Sequence, residues 1–297
     1  MDQPQRTAIV GVTGFVGRGL PALLAEIGMA TTGVSRAGKG PLPAVDQWQT
    51  PETLDFAGHH AVINLAGEPI AQRWNDETRR RFHESRVSLT TRVVEAIAKV
   101  PEGQRPKVLI NASAVGIYGD RGDEILTDTA RPGRGYLADL CIDWEDAARD
   151  AESLGVRVVR LRIGIVLGTN GSAFEKLRRV FKLGLGGPLG HGTQWMPWIH
   201  LADLRAAIVH AVASETLTGP INATAPHPER NADLTRKLAA ALHRPAILAV
   251  PGFALKLVLG GFGGALLAGQ RALPAALEAD GFHFKFPTLE AALADLV

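Results

Sequence analysis

The feature that most constrains this chain is a glycine-rich turn between a predicted strand and a predicted helix. Thr7–Val10 is an apolar run typical of a buried strand, and the turn Gly11-Val12-Thr13-Gly14-Phe15-Val16-Gly17 follows it directly. Gly19–Ile27 then predicts a helix, and Ala30–Val34 predicts a second strand beyond it. This order forms a parallel unit with a right-handed crossover, whose turn presents free N–H groups and a helix dipole to phosphates. The turn therefore predicts a dinucleotide site, with contacts from Gly11, Thr13, Gly14, Phe15, Val16 and Gly17.

Each glycine of the turn has a separate physical reason. Gly11 allows the chain to turn sharply after the strand, and Gly14 lets the backbone approach a pyrophosphate because it has no Cβ. Gly17 permits close packing of the helix on the strand. The spacing is G-x-x-G-x-x-G rather than G-x-G-x-x-G, and a plain strand-to-helix turn is the alternative.

The residues after the second strand indicate which dinucleotide is bound. NAD-binding proteins usually place an acidic residue there, which accepts hydrogen bonds from the ribose 2′-hydroxyl group. This chain has Ser35 and Arg36 there, followed by Lys39. A guanidinium binds a 2′-phosphate through paired charge-assisted hydrogen bonds, and the Ser35 hydroxyl can donate one more. We therefore expect NADP(H) rather than NAD(H), with an ordinary surface charge as the alternative for Arg36.

The rest of the first half repeats the alternation of strands and helices. Further strands are predicted at Ala61–Leu65, Val108–Asn111 and Val156–Leu161, helices at Trp74–Lys99 and Tyr136–Leu154, and an irregular segment at Ala37–Pro51. Continuous apolar strands between helices predict an α/β fold, a doubly wound parallel sheet of the Rossmann type. Leu65, Ala66 and Gly67 close one of these strands, so we expect them at the carboxyl edge of the sheet, beside the ribose and nicotinamide.

The second half predicts a smaller region built onto this sheet. We place the NADP-binding Rossmann domain at residues 1–168, with some later segments returning to it. A C-terminal α/β substrate region then covers residues 169–297. Glycines crowd residues 184–192 and lead to Trp195 and Trp198, which we expect to line a polar cleft.

Composition and charge exclude several classes of protein. The chain is 46% hydrophobic and 21% charged, with a net charge of +2, which is typical of a folded protein and gives no basic surface for nucleic acid. Its single cysteine, Cys141, excludes an intrachain disulfide, and the polar N-terminal segment lacks a secretory pattern, so we expect a cytoplasmic location. The apolar stretch Phe253–Gly269 is short of the roughly 20 residues of a membrane span and contains Lys256. The nine histidines show no metal-ligand spacing, so we predict no metal site.

Several longer motifs carry a resemblance to a known family. They are Asn64–Ile70, Arg73-Trp74-Asn75, Glu84-Ser85-Arg86, Lys182–Gly190, Gln194–His200, His243–Ala246, Gly269–Pro274 and Gly281–Lys285. With the glycine turn, they resemble the extended short-chain dehydrogenase/reductase superfamily, in its NAD-dependent epimerase/dehydratase branch, and within it proteins described as cell-division-inhibitor-like. The resemblance implies NADP(H) as cofactor, a small-molecule substrate and a family-specific C-terminal domain over residues 245–297. It also implies cofactor contacts from Arg86 and from Val166 beside the nicotinamide, and a homodimer formed through the two long helices.

The catalytic residues of this superfamily are matched only in part. Its members use a Ser or Thr, a Tyr, and a Lys four residues after the Tyr, whose ammonium lowers the phenol pKa from about 10. Ser113 matches the Ser and Tyr136 opens the expected helix, but Leu140 stands four residues on. A register shifted by one residue puts Leu137 and Cys141 at the two positions, again without a Lys. Ser113 and Tyr136 are therefore the candidate catalytic residues, with aromatic packing as the alternative for Tyr136.

Two functions remain open on these residues. One is an NADP(H)-dependent oxidoreductase or epimerase that acts on a small carbonyl or alcohol substrate with a degenerate Tyr–Lys pair. The other is an NADP(H)-binding sensor or interaction protein with little or no turnover. His191 and His200 flank the glycine-rich loop and are candidate acid–base groups, with a structural hydrogen bond as the alternative for His200. Asp120 and Glu68 are further candidates.

Overall fold

The computed structural model describes residues 5–169 and 173–297. Its strands are β1 (Arg6–Val10), β2 (Ala30–Val34), β3 (Gln47–Gln49), β4 (Ala61–Asn64), β5 (Val108–Ala114), β6 (Ile125–Leu126), β7 (Arg157–Ile163), β8 (Ile165–Leu167), β9 (Trp195–Met196), β10 (Trp198–His200), β11 (Gly219–Ala223), β12 (Glu229–Arg230) and β13 (Arg271–Ala272). Its α-helices are α1 (Leu20–Glu26), α2 (Asp76–His83), α3 (Leu89–Ala98), α4 (Tyr136–Arg149), α5 (Ala173–Lys182), α6 (Leu201–Ala213), α7 (Asn231–Ala241), α8 (Gly252–Leu259), α9 (Gly261–Ala265), α10 (Ala275–Ala279) and α11 (Leu289–Leu296).

In the part of the chain that the structure describes, the central element is a parallel sheet with the strand order β11-β7-β5-β4-β1-β2-β3. This confirms the predicted doubly wound sheet of the Rossmann type. The strand order reverses between β1 and β4, and ligands of such sheets bind at this point, beyond the carboxyl ends of the strands. The prediction that Ala37–Pro51 is irregular was wrong at β3, which pairs with β2 at the sheet edge. A three-residue edge strand is held by backbone hydrogen bonds and needs no apolar alternation, so the pattern did not reveal it.

Alternate residues of the strands face two hydrophobic layers. Ile9 of β1 packs in one layer with Leu20 of α1 and Leu204 of α6. Val10 faces the opposite layer, which includes Val93 of α3. Burial on both faces explains the continuous apolar strands and holds their carboxyl ends in fixed positions.

Two later segments belong to this sheet layer. Helix α6 packs against the same face as α1, and β11 is the edge strand beside β7. Both come from beyond residue 168, and the division into two domains with its boundary stays a prediction. A third hydrophobic cluster joins α5, α7 and α11 around Trp198 and forms the core of the C-terminal region.

Two helical segments differ from regular α-helices. The predicted helix Trp74–Lys99 is α2 and α3 joined by a π-helical turn, Glu84–Ser88. Such turns often lie at functional sites, and this one carries Arg86. The apolar stretch Phe253–Gly269 contains two short helices, α8 and α9, separated by Gly260. Within the described residues, the structure has no helix whose length and apolarity suit a membrane crossing.

Candidate functional site

The glycine turn connects β1 to α1 and packs against the end of β4. The N–H of Gly11 donates to the Val34 carbonyl (3.0 Å), and Gly11 has φ +83°. A Cβ on Gly11 would lie 3.1 Å from the Cα of Ala66, and one on Gly17 would lie 2.6 Å from the Gly11 carbonyl oxygen. Gly11 therefore needs its left-handed backbone, and Gly17 allows two backbone segments to touch. Gly14 is exposed, so the loop backbone is open to a ligand there.

A charged side chain from α6, Arg205, holds the other side of this loop. Its Nε donates to the Val16 carbonyl (2.9 Å), and one terminal nitrogen donates to the Phe15 carbonyl (2.8 Å). In a trans peptide, the carbonyl and the following N–H point in opposite directions. Arg205 therefore turns the N–H groups of Val16 and Gly17 away from itself. These belong to the start of the helical segment, where free N–H groups bind phosphates.

The predicted contacts to a 2′-phosphate follow β2. The Ser35 hydroxyl donates to the Lys39 carbonyl (2.9 Å) and accepts a hydrogen bond from the Lys39 N–H (3.3 Å). This closes a short turn in which Arg36 is exposed. A Cβ on Gly40, just beyond the turn, would lie 3.0 Å from Cγ2 of Thr13 in the glycine turn. The Arg36 segment and the phosphate loop are therefore neighbours, while the Ser35 proton is engaged inside its own turn.

A cleft of about 870 Å³ lies along the carboxyl ends of the strands, between the sheet and the C-terminal region. The predicted site residues that line it are Phe15, Leu65, Ala66, Gly67, Arg86, Ser113, Asp120, Tyr136 and Val166. Its outer wall comes from Trp195 and from α9, including Phe262. The cleft has the volume of an ordinary ligand site and stands at the point where the strand order reverses.

Arg86 covers one wall of the cleft. Its guanidinium donates to the Glu68 carbonyl (2.9 Å) and lies over the Trp144 ring, 5.2 Å from the centroid. A Cβ on Gly67 would lie 3.1 Å from Cζ of Arg86, so this glycine makes room for the guanidinium. Burial lowers the pKa of Arg86, yet a guanidinium stays charged in proteins. The cleft therefore contains a fixed positive charge beside the predicted cofactor contacts.

Ser113, near the end of β5, is bonded to a buried ion pair behind the cleft. Its hydroxyl donates to Oε1 of Glu145 (2.8 Å), and Glu145 accepts two hydrogen bonds from Arg162 (2.7 and 2.9 Å). The side chains of Arg162 and Glu145 are only 5% and 3% exposed. A hydroxyl has a single proton, which Ser113 gives to Glu145. Toward the cleft, Ser113 can therefore only accept a hydrogen bond.

The ion pair extends away from the cleft through Tyr118. Arg162 donates to the Tyr118 hydroxyl (3.0 Å), which donates to Oδ1 of Asn222 on β11 (2.7 Å). Burial raises the pKa of Tyr118, and its side chain is fully buried. Tyr118 is therefore a protonated structural phenol, and its hydroxyl connects β7 and β11.

Comparison with family models places the chain. Residues 7–223 match the model of the NAD dependent epimerase/dehydratase family, and residues 250–296 match a model described as a domain of unknown function, DUF1731. The chain belongs to the NAD dependent epimerase/dehydratase family. This confirms the resemblance that the sequence motifs carry.

Relatives of this family match nearly the whole chain. The chloroplastic epimerase family protein SDR39U1 homolog of Arabidopsis thaliana is 37% identical, over 98% of this chain and 86% of its own length. An epimerase family protein of Mycobacterium bovis is 38% identical, over 96% of this chain and 95% of its own. The crystal structure of the human epimerase family protein SDR39U1 (isoform 2) with NADPH is 33% identical, with a TM-score of 0.89, and the match covers 98% of this chain and 99% of that one.

Helix α4, which carries the Tyr–Lys pair in the wider superfamily, presents the corresponding positions to this cleft without a Lys. Its cleft-lining residues include Tyr136, Leu137, Leu140 and Cys141. The Tyr136 ring packs on Trp74, with 5.2 Å between centroids, and its hydroxyl donates to the Arg79 carbonyl at 3.4 Å. Burial raises the pKa of Tyr136 and raises that of Cys141 to about 12. These contacts agree with the packing alternative for Tyr136, and its catalytic role stays a prediction.

The histidines and tryptophans in and after the glycine-rich loop lie in the cleft, in the buried core or at another cavity. Trp195 lines the cleft, but Trp198 is fully buried and donates to the His227 carbonyl (3.0 Å), so the prediction that Trp198 lines the cleft was wrong. The core of the C-terminal region needs a large apolar side chain at that position. His200 is also buried and accepts a hydrogen bond from the Ala202 N–H at the start of α6. This agrees with a structural hydrogen bond, the alternative to an acid–base role for His200. His191 lines a separate cavity next to α8.

Sequence reasoning missed Glu145, Arg162 and Arg205. A signal for one of them was available, since Arg162 interrupts the apolar run of β7, and arginine is almost never buried in a strand without a partner. Its partner on α4 is not visible from the sequence. Among the described residues, no group of three or more His, Cys, Asp or Glu side chains is close enough to hold a metal ion.

Proposed function

We propose that this chain binds NADPH in the cleft, with the pyrophosphate on the glycine turn and the adenosine 2′-phosphate on Arg36. The observation that carries the proposal is Arg36 itself. Its exposed guanidinium directly follows Ser35, where an NAD-specific protein has an acid, and its turn adjoins the phosphate loop. The human relative of known structure, crystallised with NADPH, supports the same cofactor.

The residues present fit this cofactor. Gly14 is exposed, and the contacts of Arg205 with the loop carbonyls turn the N–H groups of Val16 and Gly17 away from Arg205. Leu65 and Val166 line the cleft with apolar side chains, against which the rings of a nicotinamide nucleotide can pack. Arg86 supplies a positive charge on the same wall.

Ligand-induced thermal shifts test the cofactor proposal. We expect NADPH to raise the melting temperature more than NADH at equal concentration, because binding to the native state stabilises it by mass action. Arg36→Ala should weaken NADPH binding by about 10- to 100-fold, the equivalent of one lost charge-assisted contact, and leave NADH unchanged. Arg92→Ala, which removes the same charge from an exposed position on α3, is the matched control. Equal shifts with both cofactors would contradict the role of Arg36.

We further propose that the chain is an NADP(H)-dependent oxidoreductase or epimerase for a small carbonyl or alcohol substrate, with Ser113 and Glu145 in place of the Tyr–Lys pair. The bound cofactor supplies hydride transfer. Ser113 Oγ accepts a hydrogen bond from the substrate hydroxyl. When the alcohol is oxidised, the substrate proton moves to Ser113 Oγ as the Ser113 proton moves to Oε1 of Glu145. Reduction of a carbonyl reverses both movements, and Arg162 keeps the Glu145 carboxylate in place through its two hydrogen bonds.

Substitutions in the cleft separate the acid–base candidates. A panel of small alcohols and carbonyls is read at the nicotinamide absorbance. We expect Ser113→Ala to lose turnover by about 100-fold or more, as for a removed acid–base group, with NADPH affinity unchanged. Ser113→Thr keeps the hydroxyl and should retain part of the rate. Tyr136→Phe should keep most of it, and the opposite pattern would assign the proton transfer to Tyr136.

A second candidate function is an NADPH-binding sensor or interaction protein with little or no turnover. The observation that favours it is the pair Leu140 and Cys141, which stand where either register would place the Lys. Since the pKa of Cys141 is about 12, its thiol is neutral at physiological pH and cannot replace the ammonium. Tight NADPH binding with no turnover across the whole panel would support this candidate and contradict the enzymatic one.

A further inference from the structure

A second polar cavity, of about 300 Å³, lies between α4, the β7–β11 edge of the sheet and residues 128–132. No residue that lines it also lines the cofactor cleft. Arg160 of β7 lies at its buried end, and Arg131 and Arg149 are at its surface. The cavity therefore has an arginine-rich wall, of which the proposed function uses only Arg162.

Arg160 is the residue that most needs explanation. It is only 8% exposed, and its Nε has no hydrogen-bond partner in the part of the chain that the structure describes. Burial lowers the pKa of Arg160, but the guanidinium keeps its charge. A buried guanidinium nitrogen without an acceptor destabilises a fold, so the Nε of Arg160 calls for a group that brings an acceptor oxygen into the cavity.

The charges around Arg160 are unevenly paired. The charged residues that line the cavity are Arg131, Arg149, Arg160, Arg162, Asp128, Glu145 and Asp146. Glu145 is paired with Arg162, and Asp146 is paired with Arg149 at 2.6 Å. Asp128 accepts hydrogen bonds from two backbone N–H groups, those of Asn222 and Ala276.

Arg131 and Arg160 thus lack a carboxylate partner within 4.0 Å among residues 5–169 and 173–297. Glu145 and Glu152 attract Arg160 from a greater distance. The lining residues therefore have an excess of positive charge next to the unpartnered Nε.

We propose that this cavity binds a small oxyanion, either phosphate or a carboxylate, through Arg160 and Arg131. A guanidinium presents parallel N–H groups that match the paired oxygens of both kinds of anion. The volume suits an ion or a small metabolite and is too small for a dinucleotide. The site does not depend on the cofactor proposal, because the two cavities share no residue.

Titration with inorganic phosphate at constant ionic strength tests this site. Isothermal titration calorimetry and melting temperature are measured on the full chain, on Arg160→Met and on Arg92→Met. The last is the matched control, since it removes the same charge from an exposed position on α3, away from both proposed sites. We expect saturable phosphate binding to the native chain and to R92M, and at least 10-fold weaker binding to R160M. Without phosphate, R160M should melt no lower than the native chain, because a buried charge without an ion-pair partner among the described residues has been removed.

Other results would overturn the proposal. Equal phosphate binding by R160M and the native chain would do so, as would an equal loss in R92M. If R160M fails to fold, Arg131→Met decides, since Arg131 is exposed and its replacement spares the core. If R131M binds phosphate several-fold more weakly than the native chain, the result supports the site. An unchanged affinity rejects it. Parallel titrations with acetate and citrate identify the preferred anion, and no saturable binding of any of the three contradicts the proposal.

Discussion

Arg205 offers the sharpest test of how the phosphate loop works, because it contacts the loop from behind. The change is Arg205→Met, which keeps the length of an apolar stem and removes the guanidinium. Two hydrogen bonds are lost, those to the Val16 and Phe15 carbonyls at 2.9 and 2.8 Å. The guanidinium also packs on Gly19, where a Cβ would lie 2.4 Å from Cζ of Arg205. Its removal therefore frees the carbonyl side of the loop.

The size of the effect follows from these contacts. A hydrogen bond from a charged donor contributes about 1.5–3 kcal/mol, and Arg205 is partly exposed, so water replaces some of each loss. We expect the free energy of unfolding to fall by about 1–3 kcal/mol. If the loop must then be ordered on binding, the binding free energy of NADPH becomes less favourable by at least about 1.4 kcal/mol, which corresponds to a tenfold rise in Kd. Arg205→Lys keeps the charge but lacks the paired donors of a guanidinium. Its stability and NADPH affinity should fall between those of the native chain and R205M.

Urea unfolding and fluorescence titration with NADPH measure the two effects separately. Arg92→Met removes the same charge from an exposed position and serves as the control. A Kd for R205M within twofold of the native value, with a native fold, would refute the orienting role of Arg205. A difference that disappears at high salt would assign the effect to long-range charge instead.

Three further predictions concern other parts of the chain. Gly17→Ala should destabilise the fold by about 1–3 kcal/mol in urea, because its Cβ would lie 2.6 Å from a backbone carbonyl oxygen, while Gly103→Ala, with nothing within 4 Å, should be nearly neutral. Cys141, with a pKa of about 12, should react with Ellman's reagent only after unfolding, and rapid labelling of the native chain would contradict its burial. Burial lowers the pKa of His59, so the unfolded chain binds more protons and stability should fall as pH drops below 6.5. His59→Gln, which can keep the bond to Thr32, should reduce that slope, which cannot exceed about 1.4 kcal/mol per pH unit for one group.

The parts of the fold that could be predicted from the sequence are those with a local signal. The glycine turn is one, since Gly11 and Gly17 are required by backbone geometry within a single strand–turn–helix unit. The continuous apolar strands are another, because burial on both faces requires them. Right-handed crossovers of parallel strands then place the helices on the two faces of the sheet, while the short edge strand β3 has no such local signal.

The rest depends on contacts between residues far apart in the chain. Arg205 is separated from Val16 by 189 positions, and Tyr118 from Asn222 by 104, so no periodicity connects them. Trp198 shows the same limit, because its sequence context is that of a cleft loop while its position in β10 directs it into the C-terminal core. A residue type predicts a need for a partner, and only the fold determines which partner meets that need.

The placement of charge around Ser113 has a consequence for the kind of substrate this cleft can hold. In the wider superfamily a cation on the α4 helix acts within the cleft, whereas here Arg162 on β7 lies one layer behind it and contacts Glu145. Glu145, held by Arg162, accepts the hydrogen bond that uses the only proton of Ser113. A carbonyl oxygen that approaches Ser113 therefore meets another acceptor, while an alcohol or a protonated amine can donate to it. The buried ion pair thus selects donor groups in the substrate, and alcohols should bind this cleft more tightly than the matching carbonyl compounds.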